Sequence, residues 1–345
     1  MRKRSLVALS LAGALVLALA ATGCGGSSKK SSGGGAKKTS RAAPINMSFS
    51  TWIGYAPIVV GQKKGLFKKE GVKVSYTLIE DPVQRFAAFK ARRLDGIAST
   101  VDTYARTAAK GVPSKVVLGL DASVGGDGIV AKKDINSVAQ LKGQKVAVSE
   151  GSTSEWLLAY VLDKHGMSLD DVEKVDMTSG DAGAAFAAGR VPVAVTWEPW
   201  LSRAESNPDG HVLASTKQGP YRTIIVDAVA FQPDFVTDHA DSVKAFLRGY
   251  DDAIKFIASN PSQAYPIIAK YIQGKVPDVK AQLATVRLLT IADNKKFFGT
   301  ESAKGPIYQT FDGAAKFWKR IGETSSTANA SSVIDPAFVN GFGSG

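Results

Sequence analysis

From Ile45 to Phe231 the chain repeats one pattern, a short apolar run followed by a longer stretch with apolar residues at helical spacing. That alternation limits the fold more than any other feature. "INMSFS", "VKVSYTLI", "GIAST" and "SKVVLGLD" read as strands. Between them lie the helical stretches "APIVVGQKKGLFKKEG", closed by Gly71, "PVQRFAAFKARRLD" and "VDTYARTAAKG". A second series begins after "VGGDG", with strands "IVAKK", "QKVAVSEG", "VEKVDM" and "VPVAVTW". Its helices are the short "SVAQLKG", capped by Ser137, then "STSEWLLAYVLDKHG", capped by Ser152 or Thr153, and "DAGAAFAAGR". "HVLAST" and "RTIIVDAVAF" follow, then a run of helices in which "VKAQLATVRLLTIADNKKFF" reads as one. The pattern predicts an α/β fold of two lobes, each a mainly parallel sheet flanked by helices. The chain crosses between lobes near 125–130 and 215–228, and ligands of such folds collect at strand carboxyl ends and between domains.

The first 44 residues stand outside this pattern. Arg2, Lys3 and Arg4 precede an apolar run of 16 residues, Leu6 to Ala21, shorter than the ~20 needed to span a bilayer. The run ends in "ATGC", and Cys24 is the only cysteine. Residues 1–23 therefore read as a secretory signal. Small residues before a lone cysteine resemble a bacterial lipobox, which makes Cys24 the expected lipidation site. Gly, Ser and Lys dominate residues 24–44, the composition of a flexible tether. A single cysteine allows no internal disulfide.

Net charge matters here because it bears on nucleic acid. The formal charge is +12, but eight bases and no acid lie within residues 1–44, leaving +4 for the rest. The basic excess thus belongs to leader and tether, and no nucleic-acid partner is expected. The tether lysines suit anionic lipid headgroups. No metal-ligand spacing appears, and His165, His211 and His239 are scattered. No metal or cofactor is expected.

The order of five segments is similar to that in the solute-binding proteins of ABC importers for nitrate, sulfonates and taurine. They are "WIGYAPIVVGQKKGLFKKEGVKV", "ARRLDGIASTVD", "LKGQKVAVSEGSTSEWLL", "AAFAAGRVPVAVTWEPW" and "NPSQAYPII". The resemblance implies a two-lobed type II periplasmic binding-protein fold that closes on its ligand about a hinge. Lobe 1 is expected over 45–127 and 225–345, lobe 2 over 128–224. It also implies a membrane permease and its ATPase as partners; together with the lipobox at Cys24, the expected protein is a monomer, lipid-anchored outside the cytoplasmic membrane, that delivers a small solute to them.

The same resemblance places the ligand at loops between the lobes. In "TWIGYAP", Trp52 and Tyr55 offer flat apolar faces with hydrogen-bonding edges, and Gly54 lets backbone approach. Trp52 has a second reading, packing at a strand end. Thr100 and Asp102 stand where a strand hands over to a helix, and Asp102 reads equally as an N-cap. Ser152, Thr153 and Ser154 open a helix whose positive end favours an anion. Asp121, Asp127, Glu198 and Asp227 argue for the opposite charge, a cationic or amide-rich solute held by ion pairing and cation–π contact. "DASVGGDG" also resembles a branch linked to urea- or guanidine-type compounds, although Asp121 and Asp127 are open to a hinge role. "WEPW" places Trp197, Glu198 and Trp200 at the end of a lobe-2 strand, where they read as a clamp.

Two other classes remain as alternatives. A sensor lipoprotein would bind the same solute and report to a receptor. A pyrimidine-precursor enzyme shares the fold, but it needs a positioned nucleophile, base or cofactor lysine. The export signal fits it poorly, so no enzyme activity and no catalytic residue are expected.

Overall fold

In the computed structural model, which describes residues 42–343 apart from 223, the two series build two sheets. The expected signal, Cys24 and nearly all of the tether lie outside the described residues. The first series runs β1 (Ile45–Phe49), α1 (Ala56–Lys63), α2 (Leu66–Lys69), β2 (Val74–Leu78), α3 (Pro82–Lys90), β3 (Gly96–Thr100), α4 (Val101–Ala109) and β4 (Lys115–Ser123). The second runs β5 (Asp127–Lys132), β6 (Lys145–Val148), α5 (Thr153–Lys164), β7 (Glu173–Asp176), α6 (Ser179–Ala187), β8 (Val193–Trp197), α7 (Trp200–Glu205) and β9 (Gly210–Ser215). Then come β10 (Val226–Phe231), α8 (Pro233–Asp238), α9 (Ala240–Ser259), α10 (Pro261–Tyr271), α11 (Val276–Leu283), β11 (Val286–Leu288), α12 (Ile291–Phe298) and α13 (Pro306–Arg320).

Local chemistry explains the boundaries. Asp81 caps α3, its carboxylate accepting from the amides of Val83 and Gln84, with Pro82 in the first turn. Ser152 caps α5, and Ser137 with Gln140 forms a capping box on the short 3-10 turn Val138–Leu141. Two expected helices are divided. Gly65, at φ 70°, separates α1 from α2. The stretch from Val279 to Phe298 holds β11 in place of a continuous helix. Thr290 and Asp293 cap each other and start α12 afresh, leaving Val286–Leu288 free to pair with β4.

The strand orders are β11-β4-β10-β3-β1-β2 and β7-β6-β8-β5-β9. Both sheets are mixed, not mainly parallel. β1 pairs in parallel with β2 and β3, and β6 with β7 and β8. The ladders of β4, β5, β9, β10 and β11 are antiparallel. The reason is connectivity: β5 and β10 enter each sheet from the other one, with no crossover helix to set them parallel.

The chain passes between sheets twice, at 124–126 and 216–225, and the two connections are bonded together. The Thr216 hydroxyl lies 2.7 Å from that of Ser123 and accepts the Gly125 amide at 2.9 Å. Asp127, which the sequence places at the end of the first lobe, is the first residue of β5. Register then collects polar groups. In β10, Asp227 lies opposite Thr100 of β3 on one side and Asp121 of β4 on the other. In the second sheet Asp127 lies opposite Trp197.

A large cluster of buried side chains supports this frame, with a smaller one around Phe186 and Leu201 between α6, α7 and the second sheet. α9 presents Val243, Phe246, Leu247, Tyr250 and Ile257 on one face, and Phe246 stacks on Phe67 at 5.0 Å. No described helix is long and apolar enough to cross a membrane.

Candidate functional site

A cavity of ≈ 20 Å³ lies where the carboxyl ends of β1, β3 and β8 meet the first turns of α3 and α5. Eight expected site residues line it: Trp52, Tyr55, Thr100, Asp127, Ser152, Thr153, Trp197 and Asp227. Gly54, Asp102, Asp121, Ser154, Glu198 and Trp200 lie outside the lining. Ser50, Pro82, Arg85, Ser99, Thr103 and Ile225 line it without having been singled out by the sequence.

Three aromatic side chains form the walls, each held by one polar bond. The Trp52 indole N–H donates to the Asp121 carboxylate, 3.2 and 3.4 Å from its two oxygens. Tyr55 donates its hydroxyl to Asp227. The Trp197 indole donates to the Thr51 carbonyl at 2.8 Å, so a second-sheet residue grips the loop after β1. Gly54 has a space role: a Cβ there would fall 2.1 Å from Asp121 Oδ2 and 2.4 Å from Trp52 Nε1. It leaves room for the Trp52–Asp121 pair.

Hydroxyls form the next group. Thr100 Oγ1 lies 2.8 Å from the hydroxyls of both Thr103 and Thr153, joining α4 to α5 across the cavity. Ser152 donates to the Ser149 carbonyl and accepts the Ser154 amide. Ser154 turns away and pairs with Ser179 at 3.1 Å. Thr100, not Asp102, occupies the N-cap position of α4, which removes the N-cap reading of Asp102. Asp102 instead lies buried in the first turn, accepting from Thr103 at 3.2 Å.

Four buried carboxylates surround these groups. Burial pushes Asp127 up to about 7, with the Ser123 bond opposing and the charges of Asp102 and Glu198 adding. Burial likewise pushes Asp102 up to about 7 against its bonds to Thr100 and Thr103. Asp121 and Asp227 are held well above the usual carboxylate range, by burial first and then by neighbouring aspartates. Asp127 Oδ2 has no hydrogen-bond partner.

The one cationic side chain in the lining is Arg85, 4 % exposed. Its Nη1 donates to the Ile79 carbonyl at 2.5 Å, while its Nε has no partner. Burial pulls its pKa below the ordinary value, with Tyr55 and Glu80 opposing. Two unpartnered polar atoms of opposite character, Arg85 Nε and Asp127 Oδ2, thus belong to residues of one cavity. Such atoms are costly to bury unless something bonds them.

"WEPW" divides between cavity and scaffold. Only Trp197 reaches the lining. Glu198, after which the peptide bond to Pro199 is cis, turns to α7 and accepts from the Ser202 hydroxyl at 2.6 Å. Trp200 packs over Gly180 and Gly183 of α6, with Arg203 stacked on its ring at 4.6 Å. No group of three or more His, Cys, Asp or Glu placed to hold a metal occurs among the described residues.

A family model described as NMT1/THI5 like matches residues 52–264. The taurine-binding periplasmic protein of Escherichia coli (strain K12) is 26% identical over 299 residues, covering 84% of this chain and 91% of that protein. Among solved structures, the alkanesulfonate-binding protein SsuA of Xanthomonas axonopodis pv. citri, bound to MOPS, aligns with a TM-score of 0.71 at 17% identity, over 85% of this chain and 99% of its own. The periplasmic nitrate-binding protein NrtA of Synechocystis PCC 6803 aligns with a TM-score of 0.65 at 15% identity, over 87% and 88%. At these identities the two structures bear on the fold alone.

Proposed function

The chain belongs to the NMT1/THI5-like family, and from that premise we propose that it is the extracytoplasmic solute-binding component of an ABC importer. It captures a small solute of the nitrate, sulfonate and taurine class and delivers it to a membrane permease. Export is supported by the periplasmic E. coli relative. The finer placement is part of the proposal: Cys24 is lipidated, and the Gly/Ser/Lys segment tethers a monomer to the outer face of the cytoplasmic membrane. Binding is the reading that the taurine-binding and aliphatic sulfonates-binding relatives support.

The observation that carries the ligand assignment is the pair of unpartnered atoms, Arg85 Nε and Asp127 Oδ2, on residues that line one cavity. A solute with an acid at one end and an ammonium at the other, as in taurine, satisfies both. Its acid group would meet Arg85 and the first turn of α5 at Ser152 and Thr153. Its ammonium would meet Asp127 and Asp227 within the walls of Trp52, Tyr55 and Trp197. At ≈ 20 Å³ the cavity has room for about one water-sized group. Entry therefore requires the two lobes, first sheet and second sheet, to part about the links at 124–126 and 216–225 and then close.

The four buried carboxylates favour a second reading, a cationic or amide-rich solute of the guanidine or urea type. Calorimetric titration and thermal shift of the protein with taurine, methanesulfonate, nitrate, guanidinium and urea separate the two. A ligand at ~100 times its Kd adds about 2.7 kcal/mol of stability. Guanidinium binding without taurine or methanesulfonate binding would transfer the assignment to the second reading. Turnover of a probe, with no stoichiometric binding, would replace the binding function altogether.

A further inference from the structure

Trp200 and Arg203 lie outside the cavity, yet they reach it indirectly. Trp200 rests on α6: a Cβ on Gly180 would fall 3.2 Å from the indole Cε2, and one on Gly183 would fall 3.1 Å from the Cβ of Trp200. Gly180 leaves room for the ring, and Gly183 for the start of the side chain. The Arg203 guanidinium stacks on that ring, which fixes the direction of its fork. Nη2 of Arg203 then crosses to the other half of the molecule and donates to the carbonyls of Ile272 at 3.0 Å and Gln273 at 2.6 Å. These carbonyls follow the last residue of α10, where the helix dipole is negative and a cation is favoured.

That last residue is Tyr271. Its buried hydroxyl accepts the Trp52 amide at 3.0 Å and lies 3.0 Å from the Ser50 carbonyl and 3.1 Å from that of Trp52. The backbone of 50–52 is therefore held at two points. Trp197 grips Thr51 directly, and Tyr271 braces Ser50 and Trp52 from behind. Both supports trace back to the segment from Trp197 to Arg203.

We propose that Arg203 is a positioning residue for solute binding. It ties α7 to the carboxyl end of α10 and, through Tyr271, fixes the Ser50–Trp52 backbone at the cavity wall. Lobe contact and wall geometry are then one event: when Arg203 leaves the α10 carbonyls, Tyr271 loses its anchor and the Trp52 amide loses protection. The proposal rests on the reading of this cavity as the solute site.

Hydrogen exchange of the ligand-free protein tests it, with Arg203→Ala and Arg203→Lys beside the wild type. In Arg203→Ala the Trp52 amide exchanges roughly tenfold faster or more, the scale of a lost charge-assisted bond, while β3 and β8 amides keep their rates. Arg203→Lys restores part of the protection, since an ammonium donates to the carbonyls but does not stack as a planar fork. Taurine Kd rises by a factor similar to that of the exchange in each variant. An unchanged Trp52 rate in Arg203→Ala overturns the proposal. So does equal acceleration of β3 and β8, which marks a general loss of stability, or faster exchange with an unchanged taurine Kd. If the wild type binds no taurine, the solute reading fails, and the exchange rates of Trp52 alone still decide the role of Arg203.

Discussion

The indole of Trp197 donates to the carbonyl of Thr51, and that 2.8 Å bond joins the last residue of a second-sheet strand to the loop after β1. It is made only while the two halves are together. If the halves part as proposed, its loss acts on closure more than on folding.

We predict that Trp197→Phe weakens taurine binding about tenfold, since a buried carbonyl left unbonded costs about 1–3 kcal/mol. Part of that cost appears as faster release. Stopped-flow dissociation and calorimetry check it. Wild-type affinity in the variant would show that the bond contributes nothing to capture.

The two unpartnered atoms predict opposite selectivity changes. Arg85→Gln is expected to lose binding of both taurine and methanesulfonate, because each places its acid at the guanidinium. Asp127→Asn is expected to lose taurine and keep methanesulfonate, which has no ammonium. Each loss should reach roughly tenfold or more, the scale of a hydrogen bond to a charged group. Equal responses of both probes to Asp127→Asn would remove the ammonium from that end of the cavity.

Gly54→Ala tests the packing behind Trp52. The added methyl would meet Asp121 Oδ2 at 2.1 Å and Trp52 Nε1 at 2.4 Å, and both neighbours are buried. Overpacking of this kind costs about 1–3 kcal/mol, and here it also displaces a cavity wall. Urea unfolding and probe titration should both respond. An unchanged unfolding midpoint would mean that the loop moves freely.

The pH dependence follows from burial. Asp127 stands at about 7 in the folded chain against an ordinary 3.8, so between those values the native state holds a proton that the unfolded state has released. Stability from this group is complete below 3.8 and declines as pH rises through about 7. Ligand-free Asp127→Asn lacks that decline, so its melting temperature should gain on the wild type between about pH 5 and 7.5. A constant difference across that range would place Asp127 in a solvated setting. Taurine affinity should meanwhile rise over the same interval as Asp127 ionises, and methanesulfonate affinity should not.

What could be read from the sequence was whatever repeats along the chain. The alternation of strand and helix, the capping serine before α5 and the strand ends at Trp52, Thr100 and Trp197 all carry local signatures. Arg85 does not. It lies in the first turns of a helix whose polar residues resemble a solvated face, and its burial comes from groups distant in sequence, Tyr55 and Tyr104 among them. The loop after β2 follows a strand end like those after β1 and β3, which was the available clue. β11 escaped because Val286–Leu288 continues a helical spacing, and its pairing partner Ser123 is distant in sequence. Trp200 and Trp197 are alike as residue types. Their roles diverge because one ends β8 and the other begins α7.

The hydroxyl of Thr216 touches both Ser123 and the amide of Gly125, so the two links between the sheets are fastened to each other. Neither can twist without carrying the other. On the proposed opening of the lobes, any movement at one link would be carried to the other, like a door hung on two joined pins. A pair of fluorophores, one on each side, would read that movement as a ratio. A chain built in this way is suited to serve as a reagentless sensor for its own solute, with occupancy reported by one number.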